Sequence, residues 1–193
     1  MRVFDFDGTI YDGESLFDLY LFSARHDPKV FRYIAPVLRY AVKYKLGRAT
    51  LEQMEHGVGK VAEGYLAQLS RSKRIAGIDR MVEEFWDGHY SRIKPWYHPE
   101  PDDVIITASF DLNVGEACRR LGVSHLISSE VDMETMKVTY LNFNTNKSRR
   151  FREVFGPDAV IDEFYTDSMF DQPMIDMARH AFMVKGNSIT QIK

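Results

Sequence analysis

Apolar residues follow two different rhythms along this chain. Between about residues 14 and 94 they recur at helical spacing: Leu16, Leu19, Tyr20 and Ser23 keep one face, and Val30, Ile34, Val37, Leu38, Ala41 and Val42 keep another. Pro28 suits a helix start, whereas Pro36, inside the second pattern, predicts a kink or break. Gly57, Gly59 and Gly64 punctuate the next stretch and blur its helix boundaries. Met81, Val82, Phe85 and Trp86 line a face of the last helix in this block.

After Lys94-Pro95-Trp96-Tyr97-His98-Pro99-Glu100-Pro101, where the prolines mark a linker, the rhythm changes. Val104-Ile105-Ile106-Thr107 is a short continuous apolar run, as expected of a parallel strand covered on both faces. A helix over 111–121, a strand near 124–128, a hairpin across 130–141 and a helix from about 146 follow. Strands at Glu163-Phe164-Tyr165-Thr166 and Ala181-Phe182-Met183-Val184 flank one more helix. A first strand starts almost at residue 1 and ends in the turn Asp5-Phe6-Asp7-Gly8-Thr9. Alternating strands and helices predict an α/β domain with a doubly wound, mostly parallel sheet. That core comprises residues 1–13 and 95–193, with the α-helical block 14–94 inserted between its first and second strands.

Composition narrows the function classes. With 193 residues, 45% hydrophobic and 27% charged, the chain reads as a globular domain rather than a disordered one. A net charge of −3 gives no electrostatic case for nucleic acid. The lone Cys118 excludes an internal disulfide framework and a multi-cysteine zinc site, and makes a reducing compartment the default. The six histidines lie scattered, without metal-ligand spacing. Two carboxylates in the first seven residues speak against a secretory signal, and the longest apolar candidate, Val30 to Val42, is broken by Arg32, Pro36 and Arg39. The reading is a soluble, cytoplasmic protein with no transmembrane segment.

The chemistry starts at Asp5 and Asp7, where a strand ends at the carboxyl edge of an open sheet, the edge at which such sheets bind ligands. Two neighbouring carboxylates repel, so the pair makes most sense around a hard cation and a phosphate, with Gly8 letting the backbone turn beside them. For an isolated Asp-x-Asp, solvated strand-end acids are the plainer reading. The full string Asp5-Phe6-Asp7-Gly8-Thr9-Ile10 resembles the first motif of the haloacid dehalogenase superfamily, the aspartate-nucleophile phosphatases. Three later segments match that family in order: Val104 to Ser109, Asn146-Lys147-Ser148, and Phe164-Tyr165-Thr166-Asp167-Ser168-Met169-Phe170-Asp171. On the residues alone each has a simpler explanation. Thr107 could sit in a plain buried strand, Lys147 in a solvated basic run, and Asp167 with Asp171 at a helix N-terminus.

The resemblance covers the chain from residue 5 to 171 and is to the phosphoserine-phosphatase-like branch, with a Rossmann-like core and a helical cap between motifs one and two. It implies a Mg²⁺-dependent phosphomonoesterase acting on a small phosphorylated metabolite. Asp5 would be the nucleophile, forming an aspartyl-phosphate, and Asp7 the general acid and base. Mg²⁺ would be held by Asp5, the Asp7 carbonyl and Asp167. Thr107 and Lys147 would bind phosphoryl oxygens, and Ala108 and Ser109 would add contacts from the turn after the strand, where a helix opens. Asp171 would hold metal-bound waters or Lys147. A glycine often stands three residues before the family's lysine; here that residue is Asn144.

Substrate choice is expected to lie in block 14–94. Glu14 stands where phosphoserine phosphatases grip the substrate amine, although a helix-start acid is an equally good reading. Their carboxylate-binding arginine aligns with Val58, which disfavours phosphoserine unless Arg48 substitutes. Between Arg25 and Arg48 the basic residues Arg25, Lys29, Arg32, Arg39, Lys43, Lys45 and Arg48 face only Asp27, with tyrosines 33, 40 and 44 interleaved. A solvated helix face is the plain account; an anionic substrate or peripheral contact with a membrane surface is the other. Competing functions are a lipid-phosphate or sugar-phosphate phosphatase, and a regulatory module that binds phosphate without turnover.

Overall fold

Strand β1 (Arg2–Phe4) opens the chain and lies at the centre of the sheet. A computed structural model describes the backbone of residues 1–193 and every side chain apart from Ala41, Tyr44, Lys45, Leu51, Met54 and Glu55. Helices α1 (Ser15–His26), α2 (Ile34–Lys45), α3 (Leu51–Arg71) and α4 (Ile78–His89) follow, and only then β2 (Val104–Phe110). The remaining order is α5 (Asp111–Leu121), β3 (His125–Asp132), β4 (Lys137–Tyr140), α6 (Thr145–Phe155), β5 (Ile161–Thr166), α7 (Gln172–Met177), β6 (Ala178–Lys185) and β7 (Ser188–Gln191).

The seven strands run in the order β4-β3-β2-β1-β5-β6-β7. β1 pairs in parallel with β2 and β5, β2 with β3, and β5 with β6. Only the edge strands β4 and β7 are antiparallel. Two-residue alternation sorts the central side chains between the faces. Phe4 and Ile105 join the core beside α1, α4 and α5, whereas Val3, Val104 and Ile106 pack with Phe151 of α6 and Met174 of α7. Both faces are therefore covered, which is why β2 reads as an unbroken apolar run.

Several local expectations are corrected. Pro36 does not break a helix: a 3-10 turn over Pro28–Tyr33 gives way to α2 at Ile34, leaving the proline in the first helical turn, where a missing N–H costs little. The boundaries that Gly57, Gly59 and Gly64 left open resolve into one helix, α3, which opens on a capping box formed by Thr50 and Gln53. Two of these glycines make room for rings, since a Cβ at Gly57 would collide with Tyr40 and one at Gly64 would stand 2.8 Å from Tyr33. β2 continues through Ala108 and Ser109 to Phe110, so these residues are strand rather than a helix-opening turn. The proline-rich linker is packed: Lys94 and Tyr97 are buried, and Trp96 lies against Phe4 and Tyr165. β7 follows no alternation signal strong enough to predict it, and all its residues are exposed. Among the described residues, no helix is long and apolar enough to cross a membrane.

Candidate active site

Asp5 leaves the end of β1 with its N–H donating to the Tyr165 carbonyl at 2.8 Å, so pairing with β5 extends one residue beyond the strand. The chain then turns at Gly8, whose φ of +70° favours glycine and whose position excludes a side chain, because a Cβ would collide with the Asp167 carboxylate. The Gly8 N–H donates to the Gly13 carbonyl at 2.9 Å, closing a loop that delivers α1 to the site. There the Ser15 N–H donates to one Asp7 oxygen at 2.5 Å, and the Ser109 hydroxyl donates to the other at 2.5 Å.

From the other side, α6 brings Lys147 into the same place. Its ammonium donates to Asp5 Oδ1 at 2.8 Å and to Asp171 Oδ2 at 2.9 Å, and its side chain is only 4% exposed. Asp171 also accepts from the Thr166 hydroxyl at 2.9 Å. Although Asp171 stands at the N-cap of α7, its side chain makes no capping bond. Asn144 occupies the N-cap of α6 at φ +51°, ψ −121°, a conformation suited to glycine, and its amide donates to the Phe170 carbonyl. Thr107 is buried, and its hydroxyl accepts from the Ser109 N–H at 3.1 Å.

A pocket of about 460 Å³ joins these groups, lined by Asp5, Asp7, Glu14, Thr107, Ala108, Ser109, Lys147, Asp167 and Asp171. All the site residues read from the sequence except Gly8 line it, and Gly8 lies against the Asp167 carboxylate. Glu14 is the N-cap residue of α1 but makes no side-chain cap bond. Neither Val58 nor Arg48 is among the residues lining this pocket. Ser168 and the apolar Leu16, Phe143 and Phe170 complete its lining.

Sequence reasoning missed the Ser15 N–H and the pocket's apolar wall. It also missed Lys94, which is buried with its ammonium donating to the Gly8 carbonyl. Its main chain is tied to the same loop, with the Lys94 N–H donating to the Ile10 carbonyl at 2.8 Å. A lysine before a proline-rich segment carries no sequence signal of burial.

Electrostatically the pocket holds more negative charge than its lysine balances. Burial pushes the Asp5 carboxyl upward and Asp171 adds to the rise, while the Lys147 ammonium opposes both and favours its ionised form. Burial also raises Asp7, against the bonds from Ser109 and Ser15. Glu14 and Asp167, both exposed at the pocket rim, are raised by partial desolvation and by neighbouring carboxylates, Glu14 to about 7 beside Asp7 and Asp167, and Asp167 beside Asp171. Burial alone would lower Lys147, but Asp171 and Asp5 hold it above its ordinary value and keep it a cation. Among the described residues no three His, Cys, Asp or Glu side chains form a metal-holding group. A hard cation would draw on the Asp5 and Asp167 carboxylates, the Asp7 carbonyl and water. That all-oxygen set, with its excess negative charge, fits Mg²⁺.

A family model for haloacid dehalogenase-like hydrolases matches residues 3–176. Protein CicA of Caulobacter vibrioides is 28% identical over 195 residues, covering 91% of this chain and 81% of CicA. Among solved structures, a protein of unknown function from Bordetella pertussis Tohama I superposes with a TM-score of 0.59 at 18% identity, covering 94% of this chain and 87% of that one. A HAD family hydrolase from Salmonella enterica serovar Typhi gives 0.57 at 11% identity, covering 92% of this chain and 59% of its own. A phosphoserine phosphohydrolase-like protein from Francisella tularensis gives 0.52 at 14%, covering 94% and 86%. The structural likenesses carry the fold, and the family match spans β1 through α7: the chain belongs to the haloacid dehalogenase-like hydrolases.

Proposed function

We propose that this chain is a cytoplasmic phosphomonoesterase that hydrolyses a small phosphorylated metabolite through an aspartyl-phosphate, with residues 1–13 and 95–193 as catalytic core and residues 14–94 as a substrate-selecting cap. The observation that carries the reading is the buried Lys147 ammonium, 2.8 Å from Asp5 and bonded to Asp171, in a pocket shared with Thr107 and Asp7. A buried cation beside a carboxylate nucleophile is what an incoming phosphoryl dianion needs.

In the first step an Asp5 oxygen attacks phosphorus and the bond to the leaving oxygen breaks. Asp7, whose raised proton affinity favours holding a proton, gives it to that oxygen. In the second step Asp7 takes a proton from water as the water oxygen attacks phosphorus, breaking the bond to Asp5 and releasing phosphate. Ser15 and Ser109 keep the Asp7 carboxyl oriented through both steps. Thr107, the backbone at Ala108, and Lys147 receive the nonbridging oxygens, and Glu14 at the pocket wall contacts the remainder of the substrate. Bound Mg²⁺, held by Asp5, the Asp7 carbonyl and Asp167, would supply charge neutralisation for the approach of carboxylate to phosphate.

Hydrolysis of an aryl phosphate with and without Mg²⁺, comparing wild type with Asp5→Asn, tests the reading. Metal-dependent turnover that Asp5→Asn lowers by at least about a thousandfold is expected, because the nucleophile cannot be bypassed. Turnover surviving in Asp5→Asn refutes the mechanism. Stoichiometric phosphate binding without turnover favours the regulatory module instead.

A further inference from the structure

The stretch from Arg25 to Arg48 divides its apolar residues between two opposite faces. On the inner one, Val30 is buried, Tyr33, Ile34, Val37 and Tyr40 are half-buried, and the two tyrosine rings sit over Gly64 and Gly57 of α3. On the outer one, Phe31, Leu38, Val42 and Leu46 are 52%, 53%, 53% and 59% exposed. With exposed Ala35 they form one stripe at spacings of four, three, four and four residues. Scattered exposed leucines need no explanation, but an aligned stripe marks a surface meant to be covered.

Charge indicates what covers it. Arg25, Lys29, Arg32, Arg39, Lys43 and Arg48 accompany the stripe, in a chain whose net charge is −3. The one acid of the stretch, Asp27, is buried, where it accepts from the Lys29 N–H and the Gln68 amide. The side chains of Ala41, Tyr44 and Lys45 lie outside the described residues. Among the described ones, Arg25, Lys29, Arg39, Lys43 and Arg48 have no ion-pair partner. A second copy of this chain would bring like charges together, which disfavours a self-association face. Apolar residues flanked by unpaired arginines and lysines, with Leu38, Arg39, Val42 and Lys43 together on α2 and Phe31, Leu46 and the other unpaired basic residues before and after it, suit the interface of an anionic bilayer. The patch continues onto α1. Phe31 packs edge-on against Tyr20, whose ring stacks on exposed Phe17, the neighbour of the pocket residue Leu16.

We propose that this face seats the protein on the surface of a membrane rich in anionic phospholipid, with Phe31, Leu38, Val42 and Leu46 entering the headgroup region and the basic residues meeting lipid phosphates. The full chain is sedimented with vesicles of phosphatidylcholine alone and of phosphatidylcholine mixed with phosphatidylglycerol, at low and high salt. It is expected to pellet with the anionic vesicles and to be released by salt. Leu38→Asp with Val42→Asp, and separately Arg39→Glu with Lys43→Glu, are each expected to lower partitioning by at least about tenfold while melting like wild type. If one pair fails to fold, the other carries the test. Absence of wild-type binding to anionic vesicles overturns the proposal, as does undiminished binding by the folded variants. A dimer in sedimentation velocity that either pair dissolves overturns it too, by assigning the face to a second copy. Because the readout is sedimentation and not hydrolysis, its failure is separable from failure of the phosphatase reading.

Discussion

Lys147 is nearly sealed from water, and at the scale of single residues it remains charged because two carboxylates lie within hydrogen-bonding reach. Its immediate neighbourhood depends on the backbone of Asn144, held at φ +51° and ψ −121°. Asn144→Ala is expected to cost about 1–2 kcal/mol in chemical denaturation, while Asn144→Gly retains wild-type stability. Glu14 adds a pH dependence. Its carboxyl is raised to about 7, so between the ordinary glutamate range and that value the folded chain holds a proton that the unfolded chain has released. Its contribution to stability is therefore lost as pH rises through that interval. In metal-free buffer, Glu14→Gln is expected to raise the melting temperature at pH 8 relative to wild type and to leave it nearly unchanged at pH 4; equal shifts at both would contradict the assignment. On the residues alone Asp171 also reads as a capping acid, but its side chain caps no helix and bonds to Lys147 and Thr166 instead.

Among the elements, α3 shows why glycine punctuation misleads. Glycine costs a helix about 1 kcal/mol relative to alanine, so several in one segment argue for interruption. The compensation comes from Tyr40 of α2 and from Tyr33 at the end of the preceding 3-10 turn, whose rings occupy the space left by Gly57 and Gly64. Gly115 in α5 has no atom within 4 Å of where a Cβ would stand. Gly115→Ala is therefore expected to stabilise the chain by about 0.5–1 kcal/mol. Gly57→Ala is expected to destabilise it, and to do so less in a Tyr40→Ala background. Thermal melts of the four variants check this, and a stabilising Gly57→Ala in the wild-type background would show that the ring moves aside freely.

For the whole molecule, folding gathers Asp5 and Asp7 after β1, Thr107 on β2, Lys147 on α6 and Asp167 after β5 at one sheet edge. The result is a cluster of carboxylates, from buried Asp5 and Asp171 to exposed Asp167, that outnumbers its one lysine, and a divalent cation would relieve it. Mg²⁺ is expected to raise the melting temperature of the wild type, and more at pH 8 than at pH 5, because protonated carboxyls ligate poorly. Asp167→Asn should lose most of that shift; an identical shift in the variant would place the ion elsewhere. The same logic reaches Lys94, whose buried ammonium bonds to the Gly8 carbonyl from the segment that returns the chain from the helices to β2.

The order of strands and helices, the covered central strands and the chemical identities at Asp5, Asp7, Thr107, Lys147, Asp167 and Asp171 are all properties of sequence. Periodicity and short motifs are local, and each can be recognised without knowing its neighbours. What the tertiary structure decided is non-local. It turned Lys147 inward from a basic run, buried Lys94, made Ser109 and the Ser15 N–H the partners of Asp7, and let the β2 pairing carry Ala108 and Ser109 past the predicted turn. It also separated the two apolar faces of the segment around α2, burying the one that meets α3 and leaving the other in water. A one-dimensional pattern records which residues are apolar or charged; which of them meet each other depends on the packing of elements far apart in the chain.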